Sequence, residues 1–118
     1  MISLRQKELS DWQDRNFGNS STCKSEWCAI GMAEELGELS HWYLKRKQGI
    51  REGARGGNFK KEIADAFADM VVYGIQAMSD EGIDVEEAFS VTVKKVLARN
   101  WKDNSSGVGE SQHKQLEV

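Results

Sequence analysis

The sequence predicts an all-α protein, a four-helix bundle in one domain. Proline is absent from its 118 residues. Between clusters of glycine, apolar residues recur at spacings of three and four, which is the period of helices and not of strands. The last stretch lacks this periodicity, so we assign the helical domain to residues 1–102 and treat residues 103–118 as a flexible polar tail.

The first two helices are bounded by glycine. The first is predicted over residues 3–16 and ends at Gly18, and the second is predicted over residues 25–47 and ends at Gly49. The basic residues in the last turn of the second helix complement the negative end of its dipole.

The third and fourth helices begin at polar caps. A glycine-rich segment, GIREGARGGN, is expected to be flexible, and Asn58 is the predicted N-cap of a third helix that reaches about Ser79. Asp84, followed three residues later by Glu87, has the form of a capping box with Asp in place of Ser or Thr. The fourth helix is therefore predicted to start there and to run to about Trp101.

Composition excludes several classes of function. Hydrophobic residues make up 39% and charged residues 30% of the chain, and no apolar run is long enough to cross a bilayer. The start, MISLRQKELSDW, is not a signal peptide, and Cys23 and Cys28 form neither a zinc nor a disulfide framework. A formal net charge of −3 argues against binding to nucleic acid. We therefore expect a cytoplasmic protein with no membrane or nucleic-acid partner.

Acidic residues of the third helix stand in an apolar setting. From Ile63 to Ala77 the strongly polar side chains are Asp65, Asp69 and Gln76, so we expect this helix to be buried on nearly all sides. Glu62, Asp65 and Asp69 fall within an arc of roughly 60°. Unpaired buried carboxylates are costly and repel one another, so a cation must face them or they must be protonated.

The second helix has an acidic quadrant of its own, formed by Glu34, Glu35 and Glu38. Taken alone, these glutamates also fit a solvated surface that pairs with Lys45, Arg46 and Lys47. That interpretation does not explain the third helix, which offers its acids no solvated face. We expect the core side of the second helix to be formed by Met32, Leu36, Leu39 and Tyr43.

Pairing the two acidic faces would place Glu35, Glu38, Glu62 and Asp65 around one small space. Ligation by oxygen alone favours Mg²⁺, or Mn²⁺ as a substitute, over zinc. The sequence therefore predicts a magnesium site between the second and third helices.

The strings EELGEL, beginning at Glu34, and EIADAFAD, beginning at Glu62, resemble the signature of the MazG-like all-α nucleoside triphosphate pyrophosphohydrolases, which is ExxE followed later by ExxD. Glu35 and Glu38 match the first element, Glu62 and Asp65 match the second, and 23 residues separate Glu38 from Glu62. The flanking segments RNFG, LKRKQGIR and VLARNW extend the resemblance over most of the chain except the tail.

The resemblance implies a magnesium-dependent enzyme that cleaves a nucleoside triphosphate between its α- and β-phosphates, with the four matched acids as metal ligands. It leaves open which acid accepts the proton of the attacking water. Glu38 and Glu34 are both hypotheses, because each is placed to leave the metal and hold the water.

Candidate substrate contacts follow from the same resemblance. Basic and amide residues of the fourth helix match approximately those that contact phosphate and nucleotide in the family, although a basic stripe there also fits a solvated face. Trp27 and Trp42 are candidates to stack on a base, although large aromatics in a small bundle more often pack in the core. Trp12 and Phe17 are suggested by the resemblance to close over a nucleotide, and both also suit core positions. The substrate-binding candidates are Lys95, Arg99, Asn100, Asp69, Trp42 and Asn16.

Two other functions compete with this one. Glu38 and His41 form Glu-x-x-His, a ligand pattern of ferritin-like di-iron bundles, but that fold requires the pattern twice and the other histidine, His113, lies in the tail. A non-catalytic helical interaction or regulatory module that retains the family acids is the second alternative. Whatever the function, we expect the bundle to form a homodimer or homotetramer, because three short neighbours cannot easily cover the apolar third helix.

Overall fold

A computed structural model describes residues 2–18, 24–50 and 57–102, and within these ranges the chain forms four helices and no strand. Helix α1 spans Ile2–Phe17, α2 spans Lys24–Gln48, α3 spans Gly57–Asp80 and α4 spans Val85–Ala98. The predicted all-α class and the four helices are confirmed. The predicted flexibility of the glycine-rich segment and of the tail concerns residues that lie mostly or wholly outside the described ranges.

The first two helices end at the predicted glycines. Gly18 has a φ of 79° and Gly49 a φ of 68°, the left-handed conformation that glycine adopts without steric cost. The Gly18 amide donates to the Asp14 carbonyl at 3.0 Å, and the Gly49 amide donates to the Arg46 carbonyl at 3.1 Å. Each glycine thus closes its helix by satisfying a carbonyl of the last turn.

The later helix ends agree only in part with the sequence. The Asp84 carboxylate accepts a hydrogen bond from the Glu87 amide at 3.1 Å, so the predicted N-cap of α4 is confirmed. Helix α4 stops at Ala98, short of the predicted Trp101, because Arg99 turns to extended backbone. The N-cap predicted at Asn58 is wrong, since α3 has already begun at Gly57.

Helices α2 and α3 form an antiparallel pair with the most extensive helix–helix contact of the described chain. At one end, the Ser25 amide donates to Asp80 Oδ2 at 3.0 Å. At the other end, the Tyr43 and Phe59 rings meet edge to face with centroids 5.4 Å apart. The two long helices therefore face each other along most of their length, and this contact positions the acidic residues.

Helix α1 is held to its neighbours by polar contacts at two places along its length. Lys24, whose side chain is buried, forms an ion pair with Asp14 at 2.7 Å. The Gln6 amide donates to the Ile83 carbonyl at 2.8 Å and accepts from the Val85 amide at 3.0 Å. These contacts join one part of α1 to the start of α2 and another part to the turn between α3 and α4.

The core side of α2 differs from the sequence expectation. Leu39 is buried as expected, whereas Leu36 and Tyr43 are exposed. The stripe of α2 that meets α3 contains the buried Gly31 and Leu39, with the half-buried Glu35 between them at helical spacing. The prediction was wrong for Leu36 and Tyr43 because the contact with α3 is centred on the stripe that contains Glu35.

Helix α3 is not buried on nearly all sides within one chain. Phe67 is 47% and Val71 is 57% exposed, although Ala66 and Ile75 are buried. No large side chain of the described residues is completely buried. The sequence expectation is wrong for the isolated chain, because its neighbours leave one face of α3 open to solvent.

Gly31 permits the close approach of α2 to the Tyr73 ring on α3. A Cβ atom at this position would lie 2.5 Å from Tyr73 Cζ, which is far inside van der Waals contact. A Cβ atom at Gly37, on the same helix, would meet nothing within 4 Å. Substitution of Gly31 therefore tests close packing together with helix propensity, whereas substitution of Gly37 tests helix propensity alone.

We expect Gly31→Ala to lower the free energy of unfolding by about 1–3 kcal/mol, because the methyl group displaces the Tyr73 ring. Gly37→Ala is the matched control and should raise stability by up to about 1 kcal/mol, since alanine favours helix. Urea unfolding followed by circular dichroism measures both. Equal stabilisation by the two substitutions would contradict the close contact.

Candidate functional site

Six carboxylates line one hollow of about 290 Å³ between α2 and α3. We call it the acidic hollow. The buried Ala66 also lines it, and its small side chain leaves room for the longer acids around it. The structure brings all four predicted metal ligands together and adds Glu34 and Asp69 to them. The carboxylates are those of Glu34, Glu35, Glu38, Glu62, Asp65 and Asp69.

No protein cation neutralises these charges within the described part of the chain. No lysine, arginine or histidine lines the acidic hollow. None of its acids takes part in an ion pair or a side-chain hydrogen bond with a described residue. The ion pairs of the described residues lie elsewhere and are Arg5–Glu8, Lys7–Asp11 and Lys24–Asp14.

Glu35 lies at the centre of this uncompensated charge. Its pKa is raised above the ordinary value for glutamate, first by burial and then by the negative charges of Asp69, Glu38, Asp65 and Glu34. Both causes disfavour the ionised carboxylate. A cation in the hollow, or a proton on Glu35, would relieve this cost.

The interpretation of the α2 glutamates as a paired surface is not supported by the contacts. Lys45 donates to Gln48 at 3.2 Å, and the Arg46 guanidinium lies over the Phe59 ring at 4.5 Å. The di-iron alternative is not supported either, because His41 does not line the acidic hollow and instead packs edge to face against Trp42, with ring centroids 5.6 Å apart.

The donor chemistry of the acidic hollow fits a hard divalent cation. All its polar side chains are carboxylates, and Mg²⁺ and Mn²⁺ prefer oxygen ligands. Across the described ranges, no three His, Cys, Asp or Glu side chains stand close enough to form a ready-made metal-binding group. Mutual repulsion of the negatively charged carboxylates favours this separation of their side chains. Glu34, Glu38 and Asp65 are exposed, so packing does not restrict these carboxylates to one rotamer.

A second cavity, of about 430 Å³, adjoins the acidic hollow and shares Glu35 and Asp69 with it. We call it the aromatic cavity. It lies between α1, α2 and α3, and the Trp12 and Phe17 rings meet edge to face at its border with centroids 5.8 Å apart. Its other lining residues are Gln13, Trp27, Cys28, Val72, Tyr73 and Gln76.

Five predicted substrate contacts line neither space. Asn16 donates to the carbonyl of Trp12 at 2.8 Å, within its own helix. Trp42 is half-buried, and its Nε1 is enclosed without a partner among the described residues. Lys95 lies in the last turn of α4, which packs on α1 and α3, and Arg99 and Asn100 follow the end of that helix. Of the six substrate-binding candidates, Asp69 alone lines these two spaces, and the stacking candidates Trp12, Phe17 and Trp27 line the aromatic cavity.

The sequence predicted no role for the two glutamines that line the aromatic cavity, Gln13 and Gln76. Gln76 had a signal, because it is the one strongly polar residue besides the aspartates in the apolar part of α3. Gln13 had no such sequence signal, because α1 is polar around much of its circumference. The direction of the Gln13 side chain depends on how α1 docks against the other helices.

Comparisons with protein-family models, with curated proteins and with solved structures found no match to this chain. The resemblance to the MazG-like enzymes therefore rests on the ExxE and ExxD elements and their flanking segments. Among the described segments, no helix combines the length and apolar character needed to cross a bilayer.

We expect Glu35→Gln to raise the melting temperature at pH 7.5 in the presence of a chelator. Because the folded state raises the pKa of Glu35, the ionised carboxylate destabilises the fold above that pKa, and an amide removes the penalty. The gain should shrink as the pH falls through the pKa of Glu35. Differential scanning calorimetry measures it, with Glu26→Gln, an exposed acid of α2 outside the hollow, as control. A lower melting temperature would show that the carboxylate has a stabilising partner.

Proposed function

We propose that this protein hydrolyses nucleoside triphosphates to monophosphates and pyrophosphate, with Mg²⁺ or Mn²⁺ held by Glu35, Glu38, Glu62 and Asp65. The observation that carries the proposal is the acidic hollow, in which six carboxylates face one space with no described cation among them. The ExxE and ExxD elements supply the reaction by resemblance. A cytoplasmic location, expected from the sequence, belongs to the same proposal.

The chemistry follows from the charge of the substrate. An α-phosphorus is shielded by negative oxygens, and a bound divalent cation would neutralise them and lower the pKa of an attacking water. Glu34 and Glu38 both line the acidic hollow and are exposed, so either carboxylate is placed to accept the proton of that water. The half-buried Glu35 and Glu62 are better suited to hold the cation in place.

The aromatic cavity supports a nucleotide as substrate rather than an inorganic polyphosphate. It shares Glu35 and Asp69 with the acidic hollow, so one ligand can occupy both spaces. Trp12, Phe17 and Trp27 offer the ring faces on which a base stacks. Phosphates over the acids and a base among the rings are the arrangement that the two adjoining spaces favour.

We expect magnesium-dependent release of pyrophosphate and monophosphate from at least one member of a panel of ribo- and deoxyribonucleoside triphosphates. Glu38→Gln and Asp65→Asn should each lower kcat/KM by at least about 100-fold, because a lost ligand removes several kcal/mol of charge stabilisation. Glu26→Gln should retain wild-type activity.

The alternative is a non-catalytic helical interaction or regulatory module that keeps the acids. A folded protein that turns over no nucleotide at saturating magnesium would favour that module. Activity that survives both substitutions in the acidic hollow would place the reaction elsewhere in the chain.

Our proposal includes assembly as a homodimer or homotetramer. Phe67 and Val71 leave an apolar face of α3 exposed, and an apolar groove of about 870 Å³ runs between α1 and α3 beside Val71. An open apolar surface of this kind is typical of a subunit interface. Lys95, Arg99 and Asn100 line neither space in their own chain, so any contact they make with substrate at this site requires another copy or a different position of α4.

Val71→Lys should shift the protein from oligomer toward monomer in sedimentation velocity, because it places a charge in an apolar interface. A dissociation constant raised by at least about tenfold corresponds to the loss of roughly 1.4 kcal/mol or more. Gln48→Lys adds the same charge at the exposed end of α2 and should leave assembly unchanged. A wild-type monomer at high concentration would contradict the proposed assembly.

A further inference from the structure

Two glutamines face the aromatic cavity without partners in the described chain. Gln13 on α1 is 6% exposed and Gln76 on α3 is 4% exposed, and both line this cavity. Buried amide groups in folded proteins are almost always hydrogen-bonded. No described residue donates to or accepts from either side chain, so this pair departs from the usual pattern.

The two amides are accessible from the cavity. Fully enclosed polar side-chain atoms without a partner occur in the described residues only at Trp42 Nε1 and Arg99 Nε. The polar atoms of Gln13 and Gln76 are therefore not sealed within packed protein. Since both residues line the aromatic cavity, their hydrogen-bonding groups are available to a molecule inside it.

A third glutamine shows how the same fold treats a structural amide. Gln6 donates to the Ile83 carbonyl and accepts from the Val85 amide, so both ends of its side chain are satisfied by backbone. Gln13 lies two turns further along the same helix and has no such partner. The contrast indicates that Gln13 and Gln76 serve a ligand and not the packing of the helices.

We propose that Gln13 and Gln76 are specificity-determining residues that hydrogen-bond to the edge of a nucleobase in the aromatic cavity. This inference rests on the proposed function. Each amide offers donors and an acceptor side by side, which match neighbouring acceptor and donor groups on a base. The aromatic rings bind the face of any base, whereas the two amides distinguish its edge.

The spacing along α3 agrees with a nucleotide that spans both spaces. Gln76 lies seven residues after Asp69, which is about 10 Å along a helix axis. A ribose separates a base from its first phosphate. The amide of Gln76 and the acids of the hollow are thus placed for opposite ends of one ligand, with Asp69 and Glu35 shared by the two spaces.

Nucleoside binding tests this assignment without catalysis. Unphosphorylated nucleosides carrying each common base are titrated in the presence of a chelator, and the fluorescence of Trp12 and Trp27 in the cavity is followed. The wild-type protein should bind one nucleoside at least about tenfold more tightly than the weakest. Gln13→Met and Gln76→Met keep the side-chain length. Each should raise the dissociation constant of the preferred nucleoside about 3- to 10-fold and so reduce the ratio between the weakest and the tightest dissociation constants, which we call the selectivity ratio. Gln48→Met, at an exposed site, should change nothing.

The outcomes separate this inference from the proposed hydrolase. If the selectivity ratio falls in both variants and the protein cleaves no nucleotide, the role of the two glutamines in base recognition is supported and the hydrolase proposal is refuted. If the protein cleaves nucleotides but the selectivity ratio in the variants equals that of the wild type, the role of the two glutamines is refuted and the hydrolase proposal is retained. Absence of saturable quenching by any nucleoside in the wild type also overturns the pair.

Folding of each variant is checked by its circular dichroism melt. If Gln76→Met does not fold, Gln13→Met on the other helix tests the same assignment. Gln76→Glu gives a further readout, because a carboxylate only accepts hydrogen bonds and should alter which base is preferred. A ranking identical to the wild type in both folded variants would overturn the role of the pair.

Discussion

The contact of α2 with α3 gathers six carboxylates around one space, where their negative charges repel one another. Gly31 lets α2 approach the Tyr73 ring, and Ala66 on α3 is buried, so Glu35 is held half-buried where the two helices meet. Packing holds the backbone there, and no described cation offsets the charge. A ligand that supplies positive charge would offset this repulsion, and the proposed cation site rests on that argument.

Much of the fold and the centre of the site could be predicted because local chemistry determines them. Gly18 ends α1 through its backbone freedom, and Asp84 caps α4 through its own side chain. Glu62 and Asp65 could be placed together from helical spacing alone. The expected burial of these acids is not seen, since Asp65 is exposed, yet Glu35 on α2 does line the same space as Glu62 and Asp65.

The remaining features depend on how the helices rotate and dock, which periodicity does not fix. Leu36 was assigned to the core because it lies on an apolar stripe, yet α2 turns a different stripe toward α3. Trp42 and Asn16 share helices with cavity residues but point elsewhere. Lys95 could not be placed because the direction of α4 is set by its contacts with α1 and α3. Gln13 gave no sequence signal, since its burial arises from the docking of α1.

The most direct test of the proposed cation site is a crystal structure of the protein grown with Mn²⁺, with anomalous scattering used to locate the ion. We expect a peak between α2 and α3, within coordination distance of carboxylate oxygens from Glu35, Glu38, Glu62 and Asp65. Saturating Mn²⁺ that gives no peak in the acidic hollow, with a lysine or arginine of a neighbouring copy inserted among the acids instead, would contradict it. In that case the carboxylates would form an assembly contact and not a metal site.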